Sequence, residues 1–167
     1  MLRTILSATV GTAVTLAATQ AFAQTSPEFT PGHGALNVFD GDGIAATPLW
    51  LKIWFAIMLG AFATGLVFIR RQPIARWAVG GFLMPFLIAG PIFQALGLPF
   101  LGGSIAIAHL VFWTPAFVLL LLRRPFLDPD QTRGFKVWSA VMTGVMAFSF
   151  IFDIRDAVIY SLHFAGA

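Results

Sequence analysis

The sequence predicts an all-α integral membrane protein, a four-helix transmembrane bundle preceded by a cleaved N-terminal signal peptide. Three observations carry this reading. Of the 167 residues, 58% are hydrophobic and 10% are charged, against about 25% charge in an ordinary soluble domain. The uncharged runs have the length of a bilayer crossing, and the basic residues cluster in the connections between them. The absence of cysteine removes disulfides, thiolate metal sites, iron–sulfur clusters and cysteine nucleophiles.

Residues 1–23 read as a secretory signal. Arg3 precedes an uncharged run from Ile5 to Leu16, and Ala21-Phe22-Ala23 before Gln24 has the small-x-small pattern that a signal peptidase accepts. The alternative, a retained first membrane helix, is disfavoured because the run is rich in small residues and threonine. Residues 24–48 follow as an irregular periplasmic arm, punctuated by Pro27, Pro31, Gly32, Gly34, Gly41, Gly43 and Pro48. His33 in this arm reads as a solvated loop histidine. Asp40-Gly41-Asp42-Gly43 looks like the opening of a calcium loop, but the remaining oxygen ligands are missing and a solvated turn is the better reading.

The transmembrane domain is expected over 49–167. Its first span, about 49–69, lies in the uncharged stretch between Lys52 and Arg70, extended back to Leu49. Between Arg76 and Arg123 lie 46 uncharged residues, which as a single helix would reach about 69 Å against a hydrocarbon core of about 30 Å. That stretch must fold back, and Gly97-Leu98-Pro99 through Gly102-Gly103 marks the break, giving spans near 77–97 and 104–122. A fourth span runs from 135 to 155, with an interfacial extension to 163.

Basic residues set the orientation. Arg70, Arg71 and Arg76 fall in one connection and Arg123, Arg124, Arg133 and Lys136 in the other, on the same side of four spans. This positive-inside pattern places both mature termini in the periplasm of a bacterial inner membrane, in agreement with the signal peptide. The sequence pI near 10.2 is then a consequence of topology and anionic-lipid contact, and no nucleic-acid role follows from it. Trp50, Trp77 and Trp138 are expected at helix ends, with their indole N–H groups at the headgroup level.

Few residues carry candidate chemistry. Asp153, Asp156, Tyr160 and His163 fall within roughly an 80° stripe if the fourth helix continues. Such a stripe suits a proton-accepting or cation-binding mouth. The plainer reading is a charged turn that anchors the helix end, with Lys52 as partner for Asp153 or Asp156. Folding the middle hairpin about residue 102 pairs positions summing near 204, which sets Gln94 opposite His109 and predicts a hydrogen bond between them. His109 is also the weak cofactor candidate, for haem or quinone. A second axial histidine is lacking in any predicted span, and His163 would serve only if its helix end folded inward. No cofactor and no metal site are predicted. Gly80-Gly81, Pro85, Gly90-Pro91 and Pro115 interrupt the middle helices, and Gly60, Ala61 and Gly65 form a small-residue strip for close helix contact or self-association.

The expected function is a non-enzymatic accessory or assembly subunit of a bacterial inner-membrane complex, with the lipid bilayer and other membrane subunits or a second copy as partners. The alternative is a small oligomeric channel or transporter for protons, cations or small solutes that uses Asp153, Asp156 and His109. A weaker alternative is a membrane redox component.

Overall fold

The computed structural model describes residues 34–38 and 48–166, and within them every regular element is helical. A 3-10 turn at Gly34–Leu36 precedes α1 (Leu49–Gly65), α2 (Pro73–Met84), a π-helical turn (Pro85–Ala89), α3 (Gly90–Ala95), α4 (Gly102–Arg123) and α5 (Arg133–Ala165). The predicted signal segment and most of the arm lie outside the described residues. Three stretches are long and apolar enough to cross a membrane: Pro73–Ala95, α4 and α5, whereas α1 is a shorter apolar helix. Large side chains such as Leu49, Val67 and Leu122 are about three-quarters exposed, which suits contact with acyl chains and would be a liability in water.

Local chemistry sets the ends. Pro73 opens α2 at a position where no amide is needed, and it holds Gln72 extended. Pro85 and Pro91 bracket the π turn, and neither can donate the backbone bond an α-helix requires there. The hydroxyl of Ser104 closes the first turn of α4, accepting from the Leu101 N–H at 2.7 Å and donating to the Leu101 carbonyl at 2.6 Å. Thr132 caps α5 by accepting from the Phe135 N–H at 3.4 Å. Pro115 lies inside α4 without ending it.

Helices α1, α2, α4 and α5 pack antiparallel in that order, with Phe62 on Phe82, Phe82 near Trp113 and Phe117 on Phe150. Gly81 abuts the Phe112 carbonyl, a register in which paired positions sum to 193. The middle hairpin therefore turns nearer residue 96 than residue 102, because the left-handed Gly97 (φ 69°) stops α3 early and residues 98–101 lead into α4 without helix. Trp138 also departs from its expected interfacial role. It is 5% exposed, and its indole N–H donates to the Ala61 carbonyl at 2.9 Å, clasping α5 to α1 beside Gly65. At the same end Gln72 donates to Gln131 at 2.9 Å, so the two arginine-bearing connections sit together.

Two apolar cores stack along the bundle. The larger joins Phe62, Ala78, Trp113, Leu120, Phe135 and Met142 toward the basic end. The smaller joins Leu36, Phe93, Leu101 and Tyr160 at the other end, where the Gly102 N–H donates to the Asn37 carbonyl at 3.0 Å. Gly103 is the close-approach point between α4 and α5, since a Cβ there would overlap the Tyr160 Cβ and meet the Asp156 carbonyl at 2.8 Å. Gly103→Leu is therefore expected to lower stability by about 1–3 kcal/mol or more through overpacking, read as an earlier unfolding midpoint in mild detergent. Gly144→Leu, where a Cβ meets nothing within 4 Å, is expected to leave the midpoint nearly unchanged.

Candidate functional site

Between the two cores lies a polar layer. His109 sits seven residues into α4 and Asp153 twenty residues into α5. The antiparallel crossing brings the imidazole Nδ1 to 3.3 Å from Asp153 Oδ1. The two side chains are 18% and 13% exposed. In this contact an ionised carboxylate can only accept, so Nδ1 then carries the proton, whereas a protonated carboxyl would donate to a bare Nδ1. A hydrogen bond between the two groups therefore needs a proton on one of them.

One helical turn toward the basic end, Trp113 follows His109 and Ser149 precedes Asp153, and the same register sets these two level. The imidazole stacks on the Trp113 indole with centroids 4.0 Å apart and planes 20° from parallel. That geometry holds the ring against Asp153 and offers a π face to a protonated imidazole. Among the described residues, three buried polar atoms have no hydrogen-bond partner: Trp113 Nε1, Ser149 Oγ and Asp153 Oδ2. Buried polar atoms are satisfied in the great majority of cases, and leaving one unmet costs about 1–3 kcal/mol. Three together in one layer mark it as chemically exceptional among the described residues.

The structure redistributes the predicted site. Asp153 and His109 meet, but Gln94 does not join them. It is exposed on α3, because the early hairpin turn shifts the facing register by about eleven positions. Lys52 is exposed near the start of α1, and Asp153 Oδ1 faces His109. Helix α5 runs unbroken through Asp153, Asp156, Tyr160 and His163, and part of that stretch is used in packing. The Tyr160 hydroxyl donates to the Pro99 carbonyl at 2.6 Å, and its ring meets Phe93 edge-on. Asp156 is half-buried beside Gly103, with Arg155 Nη1 at 3.7 Å. His163 is exposed, ten residues beyond Asp153, or about 15 Å along the helix, and does not approach His109. Among the described residues no group of three or more His, Cys, Asp or Glu could hold a metal ion.

Trp113 and Ser149 are the members that sequence reasoning missed. Each lies four residues from a predicted polar position, on the same helical face, and this spacing is the signal that would have found them.

No protein-family model, curated protein or solved structure matches this chain.

Proposed function

We propose that this protein is an accessory, non-enzymatic subunit of a bacterial inner-membrane assembly, and that the His109–Asp153 pair is its proton-binding site. The observation that carries the reading is a polar layer with unmet hydrogen-bonding capacity, held between two apolar cores. Ionisable groups at membrane depth are costly and usually mark ion or proton pathways. The larger core lies on the basic side of the layer and the Tyr160 cluster on the other. His109 and Asp153 are partly exposed, which would let the layer meet a neighbouring chain at the α4–α5 edge. A partner at that edge would supply hydrogen bonds to the layer and extend a proton path from it.

The topology belongs to the same proposal. The Gln72–Gln131 bond supports placing all the basic connections on one side, which the positive-inside rule makes cytoplasmic. Helix α1 has 17 residues, or about 25 Å, and the apolar residues Leu66, Val67, Phe68 and Ile69 after it lengthen the first crossing toward the hydrocarbon thickness. A signal peptide ending at Ala23 starts the mature chain in the periplasm.

Isolation from native membranes in mild detergent, followed by reconstitution of the purified chain into liposomes holding a pH-sensitive dye, tests the reading. A co-isolating membrane protein and no proton flux from the chain alone are expected. A solitary chain that passes protons, with flux abolished by Asp153→Asn, would instead establish the channel reading.

A further inference from the structure

We propose that the groove between α2 and α4 at the basic end binds one anionic phospholipid, with an acyl chain in the groove and the phosphate on Arg76. The groove has a volume of about 380 Å³, and its walls include Arg76, Trp77, Gly80, Met84, Phe112 and Pro115. Its shape follows from the sequence. Gly81 lets the backbone of α2 rest on the Phe112 carbonyl, which draws the helices together behind the groove. Gly80 on the adjoining position leaves open space where any side chain would project, since a Cβ there meets nothing within 4 Å.

The occupant is identified by size and charge. From Arg76 to Met84 the groove runs eight residues of helical rise, about 12 Å, close to one leaflet of a hydrocarbon core about 30 Å thick. Every named wall residue apart from Arg76 is apolar or a glycine, so a hydrocarbon chain matches the groove and a polar solute does not. Arg76 stands at the shallow end, within a turn of the start of α2, where its long side chain reaches the headgroup layer. It is exposed, and its guanidinium makes no ion pair or hydrogen bond with the described residues. A guanidinium presents a fork suited to phosphate oxygens. The half-exposed Trp77 beside it is an interfacial residue of the kind that packs along lipid at that depth. Arg70, Arg71, Arg123 and Arg124 at the same end add attraction for an acidic headgroup.

The test uses the full chain in nanodiscs of phosphatidylcholine doped with phosphatidylglycerol, with retained lipid counted by native mass spectrometry after gentle extraction. One phosphatidylglycerol is expected to stay bound in preference to phosphatidylcholine. Arg76→Gln should reduce that preference about tenfold, whereas Arg133→Gln at the start of α5 should leave it unchanged. Gly80→Leu, whose side chain grows into open space without striking protein, should displace both lipids while helicity is kept. Equal retention of the two lipids by the parent protein, an undiminished preference in Arg76→Gln, or a retained lipid in Gly80→Leu would each overturn the proposal. None of these outcomes bears on the His109–Asp153 layer, which lies outside the groove.

Discussion

Trp113→Ala is expected to destabilise the bundle by about 3–5 kcal/mol, the range for removing a fully buried tryptophan. The indole is wholly buried and lies at the meeting point of three elements. Its ring centroid is 4.9 Å from Phe62 on α1, 6.5 Å from Phe82 on α2 and 4.0 Å from His109 on its own helix. In a bilayer the apolar transfer contribution is weak, because lipid tails solvate a side chain as well as leucine does, and van der Waals packing holds helices together. A void at this position forfeits that packing outright. Trp113→Phe offers the discriminating comparison. It keeps an aromatic ring against Phe62 and His109 and deletes the unpartnered Nε1–H, so its loss should be less than half that of alanine. Reversible denaturant unfolding in detergent micelles reads both. Equal losses would mean that the indole N–H has a partner and that the layer is satisfied.

The architecture was legible to different depths for different reasons. Charge-free runs between Lys52 and Arg70 and between Arg76 and Arg123 are set by the bilayer itself, so the apolar helices could be located from composition and length. The grouping of the arginine-bearing connections followed from counting passes, and the Gln72–Gln131 bond now joins those connections directly. Facing register was another matter. Whether His109 meets Gln94 or Asp153 depends on where Gly97 takes a left-handed conformation and on the wider π turn between Pro85 and Pro91. Those backbone details rotate and shift a helix without changing its hydropathy. Trp138 was misplaced for a related reason, since an aromatic side chain near a helix end can point to the headgroups or back into the bundle. The small residues at 61 and 65 on α1 decide this by leaving room for the ring. The polar layer itself was half visible: its charged members stand out in an apolar sequence, but Ser149 and Trp113 do not until the crossing of α4 and α5 sets them level.

The strongest test of that layer is a double-mutant cycle on its central pair. Asp153→Leu alone leaves the imidazole without its acceptor, and His109→Leu alone leaves a carboxylate buried at membrane depth, so each single change is expected to cost about 3 kcal/mol or more. Making both changes removes the polar demand on both sides of the α4–α5 crossing and substitutes side chains that pack, and such replacements of buried pairs are often neutral or stabilising. The double variant should therefore be more stable than either single variant, with a coupling energy of about 1–3 kcal/mol between positions 109 and 153. Strictly additive losses would show that the 3.3 Å contact has no energetic weight. The same four proteins also separate structure from function. A bundle that tolerates two leucines as a fold has no structural need for a histidine and an aspartate at its centre. If the stable double variant still recovers the proposed membrane partner but no longer supports proton-linked activity of the proposed assembly, the pair is kept for the proton it holds. If partner binding is lost while the fold stands, the pair instead forms the contact surface, with Asp153 Oδ2 and Ser149 Oγ as the groups a neighbouring chain would satisfy.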